Sequence, residues 1–543
     1  MRHEHTMLDA AIKELEDIVG KSFLLIDIKS REMYSRSTLS TGTVPSAIVK
    51  PRTREEIESI LKIASAHGLK VHTISTGKNW GYSDACAPND GNLILDLSRM
   101  NSIIEVNEEL CYATIEPGVT QGQLYEYLEH NHVNVWMDAT GAGPDTSIIG
   151  NIMERGFGHS PHGDRYAHSC AYEVVLPTGE VLHTGFGHYE NSKVSEVYKW
   201  GVGPSIDGLF TQSNLGVVTK MTIWLLPKPE DFKVLFFVLK EENDIIAFIE
   251  NIRSLKIDGT LKSVVHISND LRTISTLQRF PFDEVASGSY LSKEKRRELR
   301  DRHGVGFWTG TAGFYGSKEQ NKADLLKVMK KLKNVEGVRH LLIMDEFRLF
   351  LFEKYVYVMR RFGFSKNSMH LSRKVKMAFD LLKGKTPPSS LLGGLWRIKK
   401  DSHGSEGGKK DLYEYGSGFY WISPILPMRG DDIHTLTVLV EPIFNTYNFD
   451  LLQTISMVSD RSVCAVMTIC FDARNKEESE RAKKCHDDVV AVLIKNGYIL
   501  YRAGNHSMKF LEGDSQNFFN FLKRIKKAID PQNILSPGKY IPE

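Results

Sequence analysis

The chain has 543 residues, 41% of them hydrophobic and 25% charged, enough for a large buried core and too many for one ordinary domain. Its 69 basic and 67 acidic residues leave a formal charge of +2, which removes any general attraction to nucleic acid or acidic membrane and favours a small-molecule partner. The six cysteines include no C-x-x-C pair and several border apolar runs, so free thiols in a reducing cytosol are expected, with neither a disulfide framework nor a metal site. Met1 to His5 opens no apolar run of signal-peptide length, and no stretch of about 18 uncharged apolar residues occurs elsewhere, so a soluble, cytoplasmic protein is expected.

In chain order, Ala47-Ile48-Val49 reads as a strand ending at Pro51. Thr53 with Glu56 then forms a capping box for a helix reaching Gly68. The strand Lys70 to Ile74 follows, and at its carboxyl end lies Ser75-Thr76-Gly77-Lys78-Asn79-Trp80-Gly81-Tyr82. Gly77 and Gly81 can adopt backbone angles closed to other residues, and Ser75, Thr76 and Asn79 add neutral donors, so the loop reads as a cradle for a pyrophosphate. The spacing is not G-x-G-x-x-G and no long helix follows, which disfavours a nicotinamide-type Rossmann site.

From Leu93 to Pro227 short apolar strands alternate with turns, at 93–97, 112–115, 172–176, 181–184 and 217–226, with a single helix candidate at 121–130. After Pro227-Lys228-Pro229 the pattern changes to a strand at 234–239, a helix at 244–254 and longer charged helices near 293–303 and 318–333, which marks a domain boundary. Residues 399–418 are polar and poor in core formers and read as a mobile loop. Segments 445–456 and 477–496 read as amphipathic helices flanking an apolar strand at 462–471. The chain closes with Gly497 to Arg502 and a helix running into Asp530-Pro531-Gln532-Asn533.

A second glycine cluster runs from Ser147 to Asp164, with four glycines, Asn151, the pair Glu154-Arg155, His159 and His162. Such a density of permissive backbone suits a chain that wraps a flat ring and donates main-chain N–H groups to it. Five motifs then occur in order: Gly-Lys-Asn-x-Gly-Tyr, Ser-Ile-Ile-Gly-Asn-x-x-Glu-Arg-Gly, the glycine-rich stretch 201–219, Gly-Tyr-x-x-Tyr-Arg, and Asp-Pro-Gln-Asn-Ile-Leu-Ser-Pro-Gly-Lys. Together they resemble the vanillyl-alcohol oxidase / para-cresol methylhydroxylase family of flavoproteins, over about Pro45 to Lys539.

The resemblance implies an α+β fold with a two-part FAD-binding domain of the para-cresol methylhydroxylase type, residues 1–229 and 486–543, around an α+β substrate cap, residues 230–485. It implies FAD along Ser75 to Gly81 at the pyrophosphate, Pro117, Gly118 and Val119 at the adenine side, Thr140, Gly141, Ser147, Gly150 and Asn151 along the ring and ribityl chain, and Val218 near the adenine. In the family a para-alkylphenol is held as phenolate by two tyrosines and an arginine, positions matching Tyr82, Tyr501 and Arg502, and hydride leaves the benzylic carbon for the flavin. Regular strand geometry would point the neighbours Tyr501 and Arg502 to opposite faces, so both serve one ligand only if the strand twists or ends there.

Two departures follow. The family's catalytic aspartate position is Ala142, with Asp145 the nearest carboxylate in sequence; His159 or His162 could take over proton transfer. The position that often tethers the flavin is Phe419; either Tyr420 makes the bond after a one-residue shift, or FAD is held without a covalent link, the expected case because such a shift reverses the side chain's face. The reading is an FAD oxidoreductase acting on para-substituted phenols as an oxidase or dehydrogenase, dimeric, with oxygen or a redox partner protein as electron acceptor. The alternatives are a flavin enzyme for another activated carbon, such as a 2-hydroxy acid or a secondary-metabolite intermediate, and a flavin-binding protein without turnover.

Overall fold

The computed structural model describes residues 2–285, 289–361, 366–399, 411–513 and 516–543. The capping box forms as its sequence implies: Thr53 Oγ1 accepts from Glu56 N at 3.2 Å, Glu56 Oε2 accepts from Arg52 N at 2.6 Å, and Gly68 ends the helix Arg54–His67 in the left-handed region. That helix buries Ile57, Ile60, Leu61 and Ala64 against a four-stranded sheet. In it Ala47–Val49 and Val71–Ile74 both run parallel to Leu93–Asp96, and Leu24–Leu25 adds an antiparallel edge. The C-terminal stretch closes on the same sheet: Val71 N donates to Ile534 O at 2.8 Å and Ser536 N to Val71 O at 2.8 Å.

A second, antiparallel sheet has the order Ile103–Asn107, Tyr112–Ile115, Val217–Trp224, Ser169–Val175, Val181–His183. It packs with the helix Gln121–His130 and with a further helix, Ile148–Met153, which the expectation of a single helix in this region missed. Six residues carrying a central glycine are too short for a helical period to stand out.

The third unit is a nine-stranded antiparallel sheet. Its path is Val338–Met344, Asp231–Leu239, Trp308–Gly316, Val265–Asn269, Leu452–Met457, Ser462–Asp472, Pro424–Pro427, Ile499–Leu500, with Ser417–Ile422 also pairing Ser462–Asp472. Helices Asp244–Ile257, Lys318–Leu332, Gly430–Thr446 and Lys476–Lys495 cover one face and share the largest core. The other face bears Phe419 and Trp421 and looks toward the first two sheets. The chain leaves this sheet only after Leu500.

Two expectations are corrected here. Residues 445–456 are not a helix: the helix Gly430–Thr446 ends, Asn448 turns the chain with φ +59°, and Leu452–Met457 becomes an interior strand. Pairing on both sides overrides the local helical spacing, and the alternation Thr454-Ile455-Ser456 suits two unlike faces. Of the segment 399–418 expected to be a mobile loop, 400–410 lie outside the described residues. Leu412–Tyr415 is a 3₁₀ turn with Leu412 buried, and the strand begins at Ser417. The helices Glu346–Arg361 and Lys366–Leu382 were not anticipated.

Candidate active site

The glycine loop at 75–81 opens one side of a long groove between the first two sheets, floored by the C-terminal stretch and closed at one end by Trp421 and Arg502. Of the residues expected to hold FAD, Ser75, Thr76, Gly77, Lys78, Asn79, Trp80, Pro117, Ser147, Gly150, Asn151 and Val218 line it. Gly81, Gly118, Thr140 and Gly141 do not. Gly81 abuts the cap, where an added Cβ would meet the Phe419 ring at 2.8 Å; Gly118 sits against the carbonyls of Leu97, Ser98 and Met100; Thr140 is buried with Gln121. The sequence reading missed His72, Ser213, Asn214, Trp421, Ser536 and Lys539, which arrive from distant segments.

The groove has the properties of a site for an extended nucleotide cofactor. Among the described residues, the main-chain N–H groups of Thr76, Gly77, Lys78 and Asn79 make no bond to protein, leaving four donors in a row on a loop with Gly77 at φ +67°. Ser213 Oγ and Asn214 Oδ1 are buried in the groove wall without a partner among the described residues. An added Cβ at Gly150 would sit 2.2 Å from Ser75 Oγ, so the helix N-terminus capped by Ser147 approaches the loop as closely as a side-chain-free residue permits. Lys78 is held by an ion pair to Asp411 of the cap.

At the cap end the strand Ile499–Leu500 stops, and Tyr501 and Arg502 follow in a bend. This resolves the problem of their neighbouring positions. Tyr501 N donates to Ser423 O at 3.0 Å and Tyr501 O accepts from Gln212 Nε2 at 2.8 Å, while the Arg502 guanidinium lies 4.3 Å from the centre of the Tyr82 ring. Tyr82 is brought in by a turn in which its N, with those of Ser83 and Asp84, donates to Asn79 O; its hydroxyl meets Ser423 Oγ at 2.8 Å. Gly504 is bound to this arrangement, because a Cβ there would lie 2.3 Å from Tyr82 O.

The electrostatics match the geometry. Burial pushes the Tyr82 phenol up to about 12, even though Arg502 pulls it down, and burial likewise raises Tyr501. Both hydroxyls are therefore donors at neutral pH. Burial opposes the charge of Arg502, but Glu154, Tyr501 and Tyr82 hold its pKa above the ordinary value. Arg502 Nη2 donates to Asn79 Oδ1 at 2.5 Å, its Nε lies 3.7 Å from Glu154 Oε2 and has no hydrogen-bond partner among the described residues, and Glu154 is also bound by Lys539 at 3.0 Å and by the Tyr540 hydroxyl at 2.5 Å.

Beyond Tyr501 the Phe157 ring stands 5.8 Å away, and His266 lies on its far side at 6.2 Å. His159 packs on His266 at 3.9 Å. Burial, then Arg165, pushes His159 down to about 4, so it is neutral and can only accept or donate as an imidazole. His266 Nε2 lies 3.3 Å from Gly158 O and Nδ1 2.9 Å from Ser456 Oγ, which places the proton on Nε2. His162 is stacked on His168 at 4.1 Å instead, near Trp224 O. Asp145 is exposed, and Ala142 lines the groove with Trp80 Nε1 bound to its carbonyl.

Phe419 presents carbon only to Gly81, whereas Tyr420 points to the opposite face, into the large core, with its hydroxyl on Ser40 Oγ. The one-residue shift that a Tyr420 tether needs is thus not made.

An FAD binding domain model matches residues 45–185, and a model for the C-terminal domain of FAD linked oxidases matches residues 460–540. The chain is 32% identical to 1'-carboxy-chondrochloren decarboxylase of Chondromyces crocatus over 98% of its own length and 97% of that protein. It is 28% identical to the flavoprotein subunit of 4-cresol dehydrogenase (hydroxylating) of Pseudomonas putida over 97% and 94%. A crystal structure of p-cresol methylhydroxylase with substrate bound superposes with a TM-score of 0.88 at 27% identity, covering 99% of this chain and 97% of that one.

Proposed function

Because this chain belongs to the vanillyl-alcohol oxidase / para-cresol methylhydroxylase family and is an FAD-linked oxidoreductase, we propose that it oxidises the benzylic carbon of a para-substituted phenol bound as its phenolate. The observation that carries this reading is the clustering of Tyr82 and Tyr501 around the buried cation Arg502, which itself lines the end of the groove. Two neutral phenolic donors and one guanidinium lower the cost of a phenolate in a dry site. An ionised ring oxygen pushes electrons toward the para carbon, so hydride loss there gives a neutral quinone methide. FAD, held without a covalent link along Thr76 to Asn79, Ser147, Gly150 and Asn151, supplies the hydride acceptor. Water adding to the methide carbon must lose a proton, and His159, kept neutral by burial and packed on His266, is the group assigned to take it.

A second reading is favoured by Ala142 and by the likeness to a decarboxylase. With alanine in place of a carboxylate at position 142 to activate water, a substrate carrying a carboxylate on the carbon next to the benzylic one can lose carbon dioxide from the quinone methide. The breaking C–C bond supplies the electron pair of the new C=C bond and restores the phenolate, and no base is required. Anaerobic mixing with 4-alkylphenols, 4-hydroxybenzyl alcohols and 3-(4-hydroxyphenyl)propionate, followed by flavin absorbance and product analysis, tests both readings. Flavin that stays oxidised with every phenol refutes them.

A further inference from the structure

The cap holds a second pair of positive charges that the phenolate reading does not use. Arg272 stands on the helix Asp270–Ser275, which continues directly from the strand Val265–Asn269. Along that strand His266 and Ser268 are half-buried while their neighbours are fully buried, and Arg272, also half-buried, comes next. Asn269 Oδ1 accepts from Arg272 N at 2.9 Å and so fixes where the side chain starts. The guanidinium rests on Gly393, where an added Cβ would lie 2.0 Å from Nη1. A Cβ added at the next residue, Gly394, would lie 3.5 Å from the Phe419 ring, and Phe419 in turn packs on Gly81 beside Tyr82. Arg272 therefore lies behind Phe419, the ring that packs against the loop carrying the phenolate-binding tyrosine.

Lys374, on the helix Lys366–Leu382, is close enough to Arg272 for the two charges to repel. Burial first, and Arg272 second, push its ammonium down to about 7, and burial also lowers Arg272. Both residues nevertheless keep some accessible surface. Among the described residues, neither side chain makes a hydrogen bond or an ion pair. The buried acids of the neighbouring elements are committed elsewhere: Asp270 to Arg296 and Arg300, Asp450 to Leu291 N and Trp396 Nε1, Glu478 to Arg397. Two like charges out of water with no counter-ion are costly unless an anion completes the site.

We propose that Arg272 and Lys374 form a subsite for a carboxylate on the substrate's side chain, so that the phenols this enzyme accepts carry an anionic tail. The inference rests on the phenolate reading for the other pole of the substrate. Arginine offers a planar fork that fits a carboxylate, lysine adds a point charge, and Ala142 contributes no opposing charge to the wall.

The test is isothermal titration of the FAD-loaded enzyme, reduced beforehand so that no turnover occurs, with 3-(4-hydroxyphenyl)propionate, 4-propylphenol and 3-phenylpropionate. The acid phenol is expected to bind at least about tenfold more tightly than 4-propylphenol, with that ratio falling toward one in Arg272→Met and in Lys374→Met. A ratio near one in the parent enzyme, or a ratio unchanged in both variants, overturns the subsite. Lys374→Gln and Arg272→Gln carry the same comparison if a methionine variant does not fold. The failure of the two readings is distinguishable: if 3-phenylpropionate binds as well as its hydroxylated analogue and Arg502→Ala affects neither, the phenolate reading falls while the anion subsite stands.

Discussion

Replacing Arg502 by alanine isolates the electrostatic part of the proposed chemistry. The guanidinium lies over the Tyr82 ring, at 4.3 Å, and only 9% of its surface is exposed, so water does not replace it easily. Loss of a preorganised charge of this kind costs roughly 2.7–4 kcal/mol in the transition state, or about 10²–10³ in rate. The fold should suffer less. Glu154 keeps Lys539 at 3.0 Å and the Tyr540 hydroxyl, so no buried carboxylate is abandoned, while Asn79 Oδ1 loses its donor and the Tyr501 hydroxyl a hydrogen-bonding neighbour. A stability loss of about 1–2 kcal/mol is expected. The assay is stopped-flow flavin reduction by a 4-alkylphenol across pH, beside thermal melts of the same preparations. Without the cation the bound phenol ionises at higher pH, so the rate should fall and its rising limb should move upward. A rate within tenfold of the parent, with an unmoved pH profile, would refute the role of Arg502.

Three further outcomes are expected. Gly81→Ala puts a Cβ 2.8 Å from the Phe419 ring at a residue with φ +69°; strain and overpacking together should cost about 2–5 kcal/mol and lower FAD retention, read as melting temperature and flavin-to-protein ratio, and an unchanged melt would refute the packing argument. Acid precipitation should release all flavin into the supernatant, in the parent and in Tyr420→Phe alike, because Phe419 offers no bonding atom and Tyr420 faces away; yellow precipitate would contradict this. Burial holds His159 and His162 at about 4 in the folded state against 6.5 when unfolded, so the unfolded chain binds more protons between those values. Stability is then complete above about pH 6.5 and declines as pH falls toward 4, by up to about 3 kcal/mol per histidine, and melting temperatures that stay flat over that range would exclude the linkage.

The sequence alone carried a great deal of this. The capping box at Thr53 and Glu56, the strand into the glycine loop, the helix near 477–496 and the flavoprotein family follow from residues close together in the chain, where backbone sterics and local hydrogen bonds act at short range. Glycines at 77 and 150 announced a close backbone approach for the same local reason. What tertiary structure alone decided is which distant segments meet. Leu452–Met457 became a strand because partners lay on both sides, and Tyr501 and Arg502 could serve one site because their strand ends at Leu500. Ser213, Asn214, Ser536 and Lys539 joined the groove from segments that carry no common motif. The assignment of Phe419 to the site and Tyr420 to the core was set by strand register, a property of pairing. Arg272 and Lys374 show the limit most plainly: two unremarkable cations in sequence became, among the described residues, an uncompensated pair only when folding brought their helices together and left Asp270, Asp450 and Glu478 with other partners.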